Sequence, residues 1–179
     1  MDTALIAGNA DGSWLALFRE SVSARLSGGR VWQLALGAHR GTVDANVSQD
    51  TRNSSVLAVG ERHLRAVPDS RIVGLESVRM DRLDVLWPDV AHGALRTYLK
   101  IDTQGYELEV LRGALRVLDA IVLVEAELSL VSTYDAGPLF DDVVAFLAKH
   151  GFAPIAFEGV LDDVVTGEML QADAIFRST

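Results

Sequence analysis

The sequence predicts an α/β fold built on a parallel sheet that ends in an antiparallel hairpin. Three observations lead to this prediction. Strand and helix patterns alternate over residues 96–177, short apolar runs stop at glycine or polar residues, and the last two strand patterns have no convincing helix between them. Such alternation places successive strands in parallel, with a helix crossing between them. The final pair is instead expected to form a hairpin at the edge of the sheet.

The first strand and helix of this half are predicted over residues 97–118. Thr97–Ile101 is rich in β-prone residues and stops at Asp102–Gly105. A helix is expected to follow, because leucines recur at helical spacing and because Glu107 and Glu109 suit the positive end of a helix dipole. The leucines predicted on its buried stripe are Leu108, Leu111, Leu115 and Leu118.

The remaining elements of this half follow in the same way. Ile121–Val124 is apolar at every position, which predicts a strand covered on both faces. Gly137–Pro138 is expected to open a helix that Gly151 ends, since proline is tolerated at the first helical position. The closing strands are predicted over Phe152–Phe157 and Ala174–Phe176. The predicted buried stripe of the helix consists of Leu139, Phe140, Val143, Val144 and Leu147.

The first half of the chain gives weaker signals, because glycine, aspartate, asparagine and serine interrupt it at short intervals. Val31–Leu36 has the pattern of a buried strand. Thr42–Val47 and Ile72–Met80 alternate polar and apolar residues, so they are predicted to pair as an inserted antiparallel hairpin. Ser13–Leu26 is a candidate helix with apolar residues along one side.

Composition excludes several classes of protein. The 25 acidic against 16 basic residues give a formal net charge of −9, which argues against nucleic acid as a partner. The absence of cysteine from the sequence excludes a disulfide framework, a thiolate zinc site and a cysteine nucleophile. No apolar run approaches the ~20 residues of a membrane span, and the N-terminus lacks the basic start of a signal peptide. We therefore expect a cytoplasmic protein.

Polar residues follow both parallel strands at their carboxyl ends, where α/β proteins bind ligands. Asp102 and Gln104 follow the first strand, while Glu125 and Glu127 follow the apolar run of the second and share one face by the two-residue period. Carboxylates placed there can orient a hydroxyl, take its proton or hold a cation. Tyr134 in the next loop is a further candidate contact. Simpler interpretations remain open: Asp102 as a helix N-cap, the glutamates as solvated strand ends, and Tyr134 as an ordinary loop residue.

Glycines and histidines give less specific signals. Gly8 and Gly12 bracket a turn that would suit a phosphate or nucleotide, but spacing alone favours an ordinary loop. The histidines are far apart and lack the spacing of metal ligands, so no metal site is predicted and all four are expected on the surface. They are His39, His63, His92 and His150.

The segment Leu99–Ala114, with the sequence LKIDTQGYELEVLRGA, closely resembles the signature of the FkbM-type methyltransferases. That signature consists of lysine, an apolar residue, aspartate, two variable residues, glycine, a variable residue and glutamate, followed by an apolar helix and a glycine. The resemblance covers residues 31–177 in the family's order. The other similar segments are Leu34–Gly37 with Gly41–Val43, Asn53–Leu57, Ser77–Leu83 and Gln171–Phe176.

The resemblance implies a class I, Rossmann-like fold with a seven-stranded sheet and a reversed C-terminal hairpin. It also implies S-adenosylmethionine as cofactor and, as partner, a small-molecule hydroxyl acceptor such as a sugar or natural product. Methyl transfer to a hydroxyl is an in-line displacement, in which alignment of donor and acceptor is the main contribution. The expected site residues are Asp102 and Glu107 as catalytic groups, Gly8, Gly12, Asp102 and Gln104 as cofactor contacts, and Glu125, Glu127 and Tyr134 as substrate contacts.

The N-terminal segment departs from the family pattern. Ile6 stands where the family has the acid of its first loop, no Glu-Pro strand is found, and Gly12 and Ala35 are too close for a helix, a strand and a second helix. The sequence therefore predicts an atypical or remnant segment over 1–30 and an FkbM-like domain over 31–179. The chain is expected to be either an N-terminally shortened enzyme or an inactive remnant that acts as a binding or oligomerising module. A missing strand would leave an open sheet edge that favours a homo-oligomer.

Overall fold

The structure, a computed structural model, describes residues 3–7, 32–91 and 96–179, which form a mixed α/β arrangement with two sheets. Its strands are β1 (Thr3–Ala7), β2 (Ala35–Leu36), β3 (Gly41–Ser48), β4 (Ile72–Asp81), β5 (Thr97–Ile101), β6 (Ile121–Ser129), β7 (Phe152–Asp162) and β8 (Met169–Ser178). Its α-helices are α1 (Glu61–Ala66), α2 (Leu83–Ala91), α3 (Glu107–Gly113) and α4 (Phe140–Lys149). The helix predicted over Ser13–Leu26 lies outside the described residues.

The larger sheet has the strand order β1-β5-β6-β8-β7 among the described residues. β1, β5 and β6 are parallel, whereas β8 runs antiparallel to both β6 and β7. The predicted antiparallel closing pair is therefore confirmed. The described residues supply five strands of the seven that the family resemblance implies for one sheet. Ala7, Ile101 and Ala126 lie side by side, so the three parallel strands reach the same edge in register.

The smaller sheet has the order β2-β4-β3, with β3 and β4 antiparallel as predicted. The strand predicted over Val31–Leu36 is shorter than expected, because only Ala35 and Leu36 pair with β4. The chain leaves the sheet at Gly37, whose N–H donates to the Asp81 carbonyl at 3.0 Å. Trp32 packs against the hydrophobic core from outside any strand.

The main core lies against one face of the larger sheet. Alternate residues of β5 and β6, including Leu99 and Val124, are fully buried there and pack with α2, α3 and α4. Two of the helix predictions need correction. α3 ends at Gly113, so Leu115 falls beyond it and is 43% exposed. α4 begins at Phe140, after the predicted Gly137–Pro138 start. Leu139, which was predicted on the buried stripe of this helix, precedes α4 and is exposed.

The face of β6 opposite the core is partly exposed, contrary to the prediction of a strand covered on both sides. Leu123, Glu125 and Glu127 on this face are all half-buried, whereas Val124 and Ala126 on the core face are completely buried. The apolar run therefore reflects burial of one face together with only partial cover of the other. No helix in the described part of the chain is long and apolar enough to cross a membrane.

His63 does not lie on the surface as predicted. It is only 2% exposed on α1, where its Nε2 lies 3.0 Å from the Ser70 hydroxyl and its ring lies 5.1 Å from that of Tyr134. Burial lowers the pKa of His63 to about 4, so the imidazole is neutral at physiological pH. His39 is exposed, as predicted, and His92 lies outside the described residues.

Gly113, the last glycine of the signature, allows α3 to pack closely against the segment after β2. A Cβ atom at Gly113 would lie 2.1 Å from the carbonyl oxygen of Gly37, well inside van der Waals contact. Because the obstructing atom belongs to the backbone, it cannot move aside cheaply. The glycine is therefore required by packing between two segments.

We predict that Gly113→Ala lowers the free energy of unfolding by about 2–4 kcal/mol, because the clash exceeds the ~1 kcal/mol that alanine gains over glycine in a helix. The matched control is Gly41→Ala, since a Cβ at Gly41 meets nothing within 4 Å. Urea denaturation followed by circular dichroism measures both variants. Equal stability of the two variants would contradict the close approach of α3 to Gly37.

Candidate functional site

The candidate site lies at the edge where the three parallel strands end. Asp102 directly follows β5, and Glu127 lies one residue beyond Ala126, the neighbour of Ile101 in the register. β1 ends beside them at Ala7. Gly8 and Gly12, the predicted cofactor contacts, lie outside the described residues. The edge therefore brings the carboxylates of two adjacent strands together, as the sequence predicts.

The loop between β5 and α3 has an unusual backbone. Gln104 has a φ of 56° and Gly105 a φ of 91°, so two successive residues lie in the left-handed region. A side chain at Gly105 would also collide with Tyr134, whose Cβ lies 2.8 Å from the position of a Cβ there. These constraints explain the glycine of the signature. Gln104 beside it adopts the same left-handed conformation although it is not a glycine, which is uncommon.

The carboxylate of Glu107 holds this loop in place. Its Oε1 accepts hydrogen bonds from the backbone N–H groups of Thr103 and Gly105 at 3.1 and 3.0 Å, and lies 3.2 Å from the Thr103 hydroxyl. The residue is 3% exposed and opens α3, with Tyr106 at the N-cap position. The N-cap interpretation of Asp102 is therefore wrong, because Asp102 lies four residues before the cap.

Gln104 links the two carboxylates at the strand ends. Its Nε2 donates to Asp102 Oδ1 at 2.9 Å and to Glu127 Oε1 at 3.1 Å. Its Oε1 accepts from the Tyr134 hydroxyl at 2.6 Å, while Gln171 on β8 donates its Nε2 to Glu127 Oε1 at 2.8 Å. We call these five residues the Gln104 cluster.

Burial changes the acid–base properties of the site. Removal from water raises the pKa of Glu127 to about 8, with repulsion from the Asp102 carboxylate adding to the effect. Burial likewise raises the pKa of Glu107 to about 7, and it raises the pKa of Asp102 against the lowering effects of the Gln104 hydrogen bond and the Lys100 charge. Glu107 and Glu127 therefore retain protons near neutral pH, a property common at functional sites.

Glu125 lies on the same strand and face as Glu127 but has different partners. It accepts a hydrogen bond from Lys100 Nζ at 2.6 Å and another from the Tyr98 hydroxyl. Burial raises the pKa of Glu125, but these two donors outweigh it, so its pKa lies below the usual value. Lys100 also approaches Asp173 at 3.6 Å. Neither glutamate is a solvated strand end, because β6 continues to Ser129.

The structure thus brings Asp102, Gln104, Glu127 and Tyr134 into one hydrogen-bonded cluster, with Glu107 in the loop behind it and Glu125 beside Lys100. Sequence reasoning missed Gln171, although its position on the closing strand opposite Ser129 places it near Glu127. The described residues contain no group of three or more histidine, aspartate or glutamate side chains arranged to hold a metal ion.

We predict that Glu127→Gln removes part of the alkaline loss of stability. Between pH 4.5 and about 8 the folded protein binds a proton at Glu127 that the unfolded chain releases, so its stability falls as the pH rises through this range. From pH 6 to 9, wild type should therefore lose about 1–3 kcal/mol more unfolding free energy than Glu127→Gln, as measured by urea denaturation. A glutamine oxygen still accepts from Gln104.

Glu125→Gln is the matched control, on the same strand and face. The pKa of Glu125 is lowered by its partners, so its replacement should reduce stability at pH 6 and pH 9 alike and leave the dependence on pH unchanged. Parallel pH profiles for wild type and Glu127→Gln would show that Glu127 is not a proton-retaining carboxyl.

The comparison with known protein families gives one assignment. The family described as "Methyltransferase FkbM domain" matches residues 12–154, well over half of the chain. The match includes the whole signature segment Leu99–Ala114 and every residue of the Gln104 cluster except Gln171. No curated protein and no solved structure matches the chain. On this evidence of sequence, together with the signature loop that the structure explains, the chain belongs to the FkbM methyltransferase family.

Proposed function

We propose that the protein is an S-adenosylmethionine-dependent O-methyltransferase that acts on a hydroxyl group of a sugar or natural product. The observation that carries this proposal is the pair of carboxylates, Asp102 and Glu127, bridged by one amide at the shared carboxyl edge of β1, β5 and β6. Ligands of open α/β sheets bind at this kind of edge. Family membership supplies the reaction class.

The side chains at the edge fit the cationic part of the cofactor. S-adenosylmethionine carries a sulfonium and an ammonium group, and carboxylates are their natural partners in a partly buried site. Asp102, Glu127 and Asp173 all have raised pKa values through burial, and Lys100 is the basic group whose field reaches Asp102 and Asp173. A bound cation would offset the repulsion among these acids. The sequence lacks the Glu-Pro strand whose acid binds the ribose of the cofactor in the family, so the proposal names no residue for the adenosine half of S-adenosylmethionine.

Each residue of the site then has a distinct task. When bound, S-adenosylmethionine supplies the electrophilic methyl group. Asp102, half-buried at the end of β5, orients the acceptor hydroxyl and takes its proton, for which a raised pKa makes it a stronger base than an ordinary aspartate. Glu107 keeps the loop in its left-handed conformation. Glu127 holds a proton at neutral pH in the free protein, and it would release that proton when a cation binds nearby, because a nearby positive charge lowers the pKa of a carboxyl. Its negative charge would then stabilise the sulfonium.

We predict that Asp102→Asn weakens binding of S-adenosylmethionine by about 10–100-fold, because a hydrogen bond or ion pair to a charged group contributes about 1.5–3 kcal/mol. Isothermal titration calorimetry with S-adenosylmethionine measures this effect. The matched control is Asp119→Asn, an exposed aspartate just before the opposite end of β6, which should bind as wild type does.

The outcomes separate the two functions that the sequence left open. Binding by wild type and Asp119→Asn, together with loss in Asp102→Asn, supports the methyltransferase. Failure of the wild-type protein to bind S-adenosylmethionine would reject the enzyme and favour a remnant that acts as a binding or oligomerising module.

A further inference from the structure

Tyr134 is held firmly below the surface of the candidate site. The residue is 1% exposed, and its hydroxyl donates to Gln104 Oε1 at 2.6 Å. Its backbone pairs with Val59, and the flanking segment is tied by hydrogen bonds from Gly60 N to Thr133 O and from Asp135 N to Ala58 O, both at 2.8 Å. The backbone contacts of this segment therefore fix the position of the Tyr134 ring in the absence of any ligand.

Gln104 is fixed from its backbone as well as from its side chain. The Ser55 hydroxyl donates to the Gln104 carbonyl at 2.7 Å, and the residue keeps its left-handed φ of 56°. Holding a non-glycine residue in this region costs on the order of 1–3 kcal/mol, so the contacts around it must compensate. These contacts limit the directions in which its side-chain amide can point.

The orientation of that amide follows from the chemistry of its neighbours. Burial raises the pKa of Tyr134, so its hydroxyl remains a protonated donor and requires an acceptor. It therefore selects the oxygen of the Gln104 amide, which leaves both N–H groups for Asp102 and Glu127. The opposite orientation would place the amide oxygen against the Asp102 carboxylate and the amide nitrogen against the Tyr134 hydroxyl donor. The tyrosine thus decides which end of the amide faces the acids.

We infer that Tyr134 is a positioning residue that acts through Gln104 to hold the carboxylates of Asp102 and Glu127 in a single arrangement at the candidate site. This inference rests on the proposed function for its catalytic meaning. It replaces the expected contact between Tyr134 and substrate, because the hydroxyl is already engaged and the side chain is buried. A buried phenol that fixes an amide is a form of preorganisation, which spares the site a reorganisation when ligand binds.

The first test is a double-mutant cycle on binding of S-adenosylmethionine, measured by calorimetry. Tyr134→Phe removes only the hydroxyl and keeps the ring against His63. Gln104→Ala removes the bridging amide. If Tyr134 acts through Gln104, we expect about 3–10-fold weaker binding in Tyr134→Phe and about 10-fold or more in Gln104→Ala, with no further loss in the double variant. Additive losses would overturn the inference.

Tyr106→Phe is the matched control, because this half-buried tyrosine belongs to the same loop but lies outside the Gln104 cluster. It should bind S-adenosylmethionine as wild type does. A loss in Tyr106→Phe equal to that in Tyr134→Phe would count against a specific role for the Tyr134 hydroxyl. Thermal melts of all variants establish that each remains folded.

The second test needs no ligand and follows the Asp102 carboxyl by NMR titration of protein carrying ¹³C-labelled aspartate. The charged groups that act on Asp102 are Lys100 and Glu125 on the neighbouring strands, Asp173 on β8, and Glu127 and Glu107. All five are unchanged in Tyr134→Phe. We expect the pKa of Asp102 to rise by about 0.5–1 in this variant, because the Gln104 amide loses the hydrogen bond that holds its oxygen and its N–H group then bonds the Asp102 carboxylate less strongly. Gln104→Ala gives the same comparison should Tyr134→Phe fail to fold.

The two tests distinguish failure of the inference from failure of the proposed function. An unchanged Asp102 titration in both variants overturns the positioning role, whatever the protein binds. If the variants shift the Asp102 titration but the wild-type protein does not bind S-adenosylmethionine, the positioning role stands and the methyltransferase is rejected.

Discussion

One buried carboxylate determines the geometry of the candidate site. Glu107 accepts from two backbone N–H groups of the preceding loop, those of Thr103 and Gly105. These bonds compensate in part for removing the carboxyl from water. They also hold Gln104 and Gly105 in the left-handed conformation of the turn. The bridge between Asp102 and Glu127 depends on that turn, because the turn presents the Gln104 amide to both acids.

The alternation of side chains along the strands explains why a stable core and an acidic site coexist a few ångströms apart. On β5 and β6, Leu99 and Val124 point into the core, whereas Lys100 and Glu125 belong to the other face. The core face supplies the hydrophobic stabilisation on which the fold depends. The opposite face is then free to hold charged groups that a two-sided core would exclude. A single register therefore fixes both the packing and the chemistry.

The sequence predicts those features of the site that follow from local periodicity. The two-residue period placed Glu125 and Glu127 on one face, and the end of the Thr97–Ile101 strand placed Asp102 at the carboxyl edge of the parallel strands, both in agreement with the structure. The family resemblance supplied the order of the motifs and is confirmed by the family match. The sheet pairing of β3 and β4 was likewise visible as alternation.

Features that depend on long-range contacts could not be predicted. His63 was expected on the surface because the histidines lack the spacing of metal ligands, yet Ser70 and Tyr134 enclose it from other segments. The left-handed backbone of Gln104 carries no local signal, since glutamine ordinarily avoids that region. The early end of α3 also escaped prediction, because leucines at helical spacing continue past Gly113, whereas the helix ends there with Ala114 at the C-cap position.

Three features of the candidate site each lower the stability of the fold, and all three lie at the carboxyl edge of the parallel strands. A non-glycine residue lies in the left-handed region, a glutamate is almost fully buried, and two further carboxyls share one amide. Each arrangement costs stability when taken alone, and mutual repulsion adds to the cost. Stability alone would favour an asparagine or glycine in the turn and neutral side chains at the strand ends. The accumulation of such costs at the carboxyl edge of parallel strands is what a site shaped by ligand chemistry exhibits, since preorganised charges are useful only where something binds to them.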